Sequence, residues 1–167
     1  MLSYPRTATL VGALPRLAPV VADTTGQLKG GVVAKLKRQI TRMQRRYPQL
    51  VVQVVMHGFP AEHPFQMHAF WLFNAGAFAG EAKRGKNNHA IMVVVDPFRK
   101  ESAIVPGYGL EPLLPKEALD HLLEMAGPAF ESAKWELGFT VMLEGLDQLL
   151  ETVTVADEVG EVVENDF

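Results

Sequence analysis

Apolar residues recur in steps of three and four from Val32 through Leu36, Ile40, Met43 and Tyr47, the spacing of one helix face. Pro48 ends that helix, because the residue before a proline is steered away from helical dihedrals. The pattern then changes. "LVVQVVMH", residues 50–57, is short, β-branched and nearly all apolar, which fits a strand covered on both faces. Gly58 and Pro60 break the chain. "AEHPFQMHAFWLFNAGAFAG" has helical length and is apolar around much of its circumference, so it is buried or packed against a partner. Beyond the polar loop "EAKRGKNN", the segments "HAIMVVVD" and "ESAIVP" are two more strand patterns separated by a short turn, which predicts an antiparallel hairpin. Leu119, Leu122, Leu123 and Ala126 mark a helix that opens near Pro115 and is expected to stop at Gly127–Pro128. A last helix is expected from Glu131 to Val153, with a loosened start around Gly138.

The predicted order is helix, strand, helix, strand, strand, helix, helix. A helical crossover makes the first two strands parallel when they are neighbours. The pattern therefore implies an α/β fold, a three-layer α/β/α sandwich with a small mixed sheet and an antiparallel hairpin. Residues 1–20 contain Pro5, Pro15 and Pro19 and are read as irregular. Residues 21–153 form the domain, and residues 154–167 an acidic tail.

Composition narrows the function classes. The chain of 167 residues is long enough for one domain with a real core. Its formal net charge of −3 gives no reason to expect nucleic acid. With no cysteine, disulfides and thiolate metal sites are excluded. Near the N-terminus the apolar stretch is interrupted by Pro15 and Arg16, and no run of 18 apolar residues occurs. Neither a signal peptide nor a membrane span is expected, and the cytoplasm is the expected compartment.

The predicted topology sorts the loops into two edges. One edge gathers Asn87, Asn88, Tyr108 and Glu111, with Gly107 and Gly109 beside them. Oxygen donors of this kind suit a hard cation, calcium or magnesium. The opposite edge carries His57, Gly58 and Asp96, with His63 near it. Carboxyl ends of parallel strands are the usual ligand side of open α/β sheets.

Three motifs then stand at related spacing: "DTTGQL" (Asp23, Gly26, Leu28), "NNHAIMVVV" from Asn87, and "GYGLE" from Gly107 to Glu111. Together they resemble the TPM domain family over residues 21–150. That family takes its name from thylakoid proteins, phosphatases and a modulator of a neurotransmitter receptor. The resemblance implies an α/β/α sandwich. It implies divalent-cation binding, usually calcium, in some members, with acid phosphatase activity in a plant thylakoid member and accessory roles at membrane complexes in others. Carried onto this chain, it implies a cation site of Asp23, Asn87, Asn88 and Glu111. Asn87 stands where the family has Asp, His89 where it has Gly, and Thr25 where it has Ala. The lost carboxylate at position 87 weakens any such site. The resulting expectation is a non-catalytic binding or accessory module with a weakened calcium or magnesium site. The alternative is a metal-dependent acid phosphatase using the same residues.

Other signals carry two readings each. The Gly107–Tyr108–Gly109 turn either holds a ligand or is a tight turn with Tyr108 covering the core. Asp23 is a ligand or clasps nearby backbone amides; Glu111 is a ligand or sits favourably at a helix start. His57 and His63 are a zinc pair or ordinary histidines. No serine lies in Gly-x-Ser-x-Gly, so nucleophilic hydrolysis has no support. Seven of the 16 basic residues crowd between Lys29 and Arg46, and acids crowd toward the C-terminus. The basic helix is a solvated face, a dock for the acidic tail within or between chains, or a surface for an acidic partner or anionic lipid. The aromatic helix around Phe70 and Trp71 packs into the core or forms an oligomer or partner interface.

Overall fold

The structure, a computed structural model, describes the backbone of residues 17–75 and 89–165, with side chains through Val153. The two valine-rich runs form β2 (Val51–Met56) and β3 (Ala90–Asp96), paired in parallel with Val54 opposite Val93. β4 (Glu101–Pro106) returns antiparallel beside β3, with Ile104 opposite Val93. These follow the sequence pattern. A further strand, β1 (Val21–Asp23), lies parallel to β2 at the other edge and was not expected. Its three residues are too few to show any periodicity. The sheet order is β1-β2-β3-β4.

Alternation along β2 and β3 sends side chains to two cores. Val52, Val54, Met56, Ile91, Val93 and Val95 enter one, with the buried faces of α1 (Val32–Arg46), α3 (Lys116–Glu131) and α4 (Trp135–Asn165). Val55, Met92 and Val94 enter the other, under α2 (Phe65–Ala75), where Phe65, Ala69 and Leu72 meet them. The layers are therefore α/β/α. No described helix is long and apolar enough to cross a membrane.

α4 packs against both α1 and α3. Its contacts with α1 keep one offset along the chain: Lys35 pairs with Glu136, Gln39 donates to the Thr140 carbonyl, and Arg46 pairs with Asp147. The two helices thus run side by side in the same direction.

Two sequence expectations fail in this layer. α3 does not stop at Gly127–Pro128 but continues to Glu131. Pro128 removes one helical donor, a cost that burial of Ala129 and Phe130 beyond it offsets. The true break is at Ala133, whose φ of 57° is left-handed. There the Lys134 amide donates to the Ala129 carbonyl at 2.8 Å, closing α3 in the manner usually served by glycine. Nor is α4 loosened at Gly138. A Cβ at that position would lie 2.3 Å from the ring of buried Phe130, so glycine is what lets α3 and α4 close together.

Two substitutions test this account. Ala133→Gly relieves the left-handed strain and is expected to stabilise by about 0.5–1 kcal/mol, net of the freedom glycine adds to the unfolded chain. Gly138→Ala forces Phe130 aside and is expected to destabilise by about 1–3 kcal/mol. Urea denaturation midpoints at constant slope read both. A neutral Gly138→Ala would mean that the α3–α4 contact is looser than described.

Candidate functional site

The parallel strands β1, β2 and β3 all end on one side, and three polar residues mark those ends. Asp23 closes β1 level with Met56. Its Oδ1 accepts from the Thr25 amide at 2.8 Å, the Thr25 hydroxyl at 2.6 Å and the Gly26 amide at 3.2 Å. Its Oδ2 accepts from the Leu28 amide at 2.8 Å. Gly26 has φ of 72°, which a side chain would oppose. "DTTGQL" is therefore a loop wound around its own carboxylate, delivering Leu28 to the core. Partial burial pushes the Asp23 pKa up, but the bonds from the Thr25 hydroxyl and the Leu28, Thr25 and Gly26 amides outweigh it and hold the pKa below 3.8.

His57 follows β2, with Nδ1 2.5 Å from the Thr24 hydroxyl. Burial lowers its pKa below 6.5, and nearby Asp96 only partly opposes this. Asp96 closes β3 and is wholly buried. Its Oδ1 accepts from the Phe98 and Arg99 amides and its Oδ2 from the Phe59 amide. Arg99 Nε lies 3.7 Å from Oδ2. The Arg99 guanidinium also donates to the carbonyls of His63, at 2.8 Å, and Pro60. His68, buried on α2, places Nε2 3.1 Å from the same Pro60 carbonyl and stacks on Phe59. Burial lowers the His68 pKa below 6.5, with Arg99 adding to the effect. Asp96, Arg99 and His68 thus bind the loop from Gly58 to Pro64 onto the sheet edge.

The opposite edge holds the "GYGLE" turn. The Gly107 amide donates to the Ala90 carbonyl, and the Leu110 and Glu111 amides donate to the Gly107 carbonyl. Leu110 and Leu114 enter the core, whereas Tyr108 is 75% exposed and covers nothing. A cleft of about 470 Å³ borders the turn, lined by Tyr47, His89, Gly109, Leu110, Leu113 and Leu150.

The predicted site residues are consequently separated. Asp23 is at the carboxyl edge of β1, while Glu111 is at the other end of the sheet beyond β4, about 16 Å away along the strand direction alone by the rise of five strand residues. Parallel pairing of the unforeseen β1 is the cause. Asn87 and Asn88 lie outside the described residues. Calcium takes about six to eight oxygen ligands, and among the described residues no three His, Asp or Glu side chains are grouped to hold a metal. The carboxylates of Asp23 and Asp96 already face amides, and Asp96 has a protein cation beside it. Among the described residues, Asp23 and Glu111 therefore do not share one cation site.

The sequence reading named His57, Asp96 and His63 at this edge but missed Arg99, Phe59 and His68. Its one usable signal for Arg99 was "DPFR", an aspartate opening a turn three residues before a cation.

Removing the Asp96 charge strands a partner of a buried ion pair, so Asp96→Asn is expected to cost about 3–5 kcal/mol. Asp23→Asn disturbs amide bonds at a less buried carboxylate and is expected to cost about 1–2 kcal/mol. Chemical denaturation reads both, and equal small losses would sink the ranking.

The histidines predict a pH dependence. His57 and His68 have folded pKa values below 6.5, so their contribution is complete above 6.5 and is lost as pH falls from there through the folded values. The Asp23 contribution is complete above 3.8 and is lost as pH falls through its lower folded value. The melting temperature should therefore fall in two acid steps, and His57→Gln should shrink only the upper one.

A family model described as the TPM domain matches residues 21–149. The chain is similar to the N-terminal domain of a P. gingivalis protein, with TM-score 0.65 and 19% identity over 87% of this chain and 88% of that one. It is also similar to the N-terminal domain of the cg2496 protein of Corynebacterium glutamicum, with TM-score 0.57 and 18% identity over 78% of each chain. At these identities the structural likeness shows the fold alone. Comparison with curated proteins gave no match. The three motifs and the family model coincide over most of the length: the chain belongs to the TPM domain family.

Proposed function

We propose that this domain is a non-catalytic binding module that engages an acidic partner through the outer face of α1. Segregated charge carries the reading. α1 contains six lysines and arginines and no acid. Lys35 and Arg46 are paired with α4. Lys37, Arg38, Arg42 and Arg45 are exposed, with no ion pair among the described residues. A helix face with four unpaired cations attracts anionic surfaces over about 10 Å at 0.1 M salt.

The inward-turned carboxylates support the same reading. Hydrolysis through a metal-activated water needs a metal held by the protein. Asp23 and Asp96 are engaged with backbone amides, and Glu111 is at the far edge.

Retention on immobilised polyglutamate at low salt tests the surface. The wild-type domain should bind and elute as salt rises, while the triple variant Arg38→Glu, Arg42→Glu, Arg45→Glu should flow through. Hydrolysis of a generic phosphomonoester with added calcium or magnesium should stay at the buffer rate. Metal-dependent turnover that drops in Glu111→Gln would favour the phosphatase and overturn the module.

A further inference from the structure

Among the described residues, Lys37, Arg38, Arg42 and Arg45 on the outer face of α1 form no ion pair within their own chain. α4 carries Glu136, Glu144, Asp147, Glu151, Asp157, Glu158, Glu161 and Glu164, and no Lys or Arg follows Lys134. Because α1 and α4 run parallel, Glu136 stands level with Lys35 and Asp147 level with Arg46, the last residue of α1. The helix then continues for 18 residues, Gln148 through Asn165, about 27 Å beyond the end of α1. Most of the acids lie on that extension. While α4 stays helical, they move away from Lys37, Arg38, Arg42 and Arg45.

The extension is also a poor helix by itself. Residues 152–163 include seven β-branched residues and Gly160, all weak helix formers. Its acids sit at the negative end of the helix dipole, with no basic residue in the last turn. Cations alongside such a helix would offset this repulsion.

Resting on the reading above, and naming its acidic partner, we propose that the partner is a second copy of this chain. The α4 extension of each copy lies along the outer face of α1 of the other. The lengths agree: α1 spans about 22 Å and the extension about 27 Å. The charges agree, four unpaired cations against an extension bearing only acids. The exchange is reciprocal, so a two-fold dimer satisfies both extensions at once and closes the assembly.

Light scattering on the eluting full chain tests this across concentration and salt. The expected result at low salt is a mass of twice the chain, falling to the monomer as salt rises. Charge reversal of α1 (Arg38→Glu, Arg42→Glu, Arg45→Glu) and of the extension (Glu158→Lys, Glu161→Lys, Glu164→Lys) should each weaken self-association at least tenfold. Mixing the two variants should restore a dimer, since every contact in the mixed pair is again of opposite sign. Removal of residues 154–167 should also give the monomer, which guards against misfolding of the extension variant. A wild-type monomer at all concentrations overturns the dimer; so does self-association that neither reversal affects. A monomer that is still retained on polyglutamate through α1 overturns the dimer but leaves the acidic-partner reading standing. A monomer without that retention overturns both. A monomer that instead binds phosphatidylserine vesicles through α1 replaces the second copy with a membrane surface.

Discussion

β3 has no solvent face. All seven of its residues are buried, and it bonds to β2 on one side and β4 on the other. A strand of that kind is stable only when both faces of the sheet are roofed. This requirement places α2 on one side and α1, α3 and α4 on the other. It also explains why the antiparallel β4 is less deeply buried, since it needs to cover only one edge. Where β3 ends, the chain must turn without leaving backbone donors unpaired. Asp96 meets that need by accepting from three amides, and its buried charge in turn calls for Arg99.

The same economy governs both ends of the sheet. At the carboxyl edge the carboxylates accept from backbone amides, and His68 donates to a backbone carbonyl. Asp23 organises its own loop, and Asp96 and His68 hold the segment after β2. At the opposite edge the two-glycine turn is closed by its own backbone bonds. Fold membership therefore says less about chemistry than the donors each carboxylate has already met.

Much of this was legible in the sequence. The three-and-four spacing of Val32–Tyr47 and the short, unbroken apolar run at residues 90–95 set element type and hence the layers, and the short turn before Glu101 set the hairpin. What escaped depends on contacts between distant residues. β1 has only Val21, Ala22 and Asp23 in the ladder, so only its pairing with Val54–Met56 reveals it, and with it the edge on which Asp23 lies. Gly127–Pro128 is a local stop signal that tertiary burial of Phe130 overrides. Ala133 is the reverse case: no local signal marks it, yet the chain turns there because α4 must fold back on α3. Of the two readings of the Gly107–Gly109 turn, the one with Tyr108 covering the core fails, because Leu110 and Leu114 have the spacing that reaches it.

A net charge of −3 conceals how the charge is laid out. Over the stretch where α1 and α4 lie side by side, α1 carries six cations and α4 only three acids, Glu136, Glu144 and Asp147, leaving α1 in surplus. The balancing acids lie further along α4, past the point where α1 ends. Parallel alignment is what fixes this offset: had the helices run antiparallel, the acidic extension would have left from the other end of α1. The offset cannot relax by side-chain motion, because it is set by Lys35, Gln39 and Arg46 against Glu136, Thr140 and Asp147 and by the core beneath them. A rigid body with its positive and negative surfaces displaced along one axis has a long-range field that orients approaching molecules before contact.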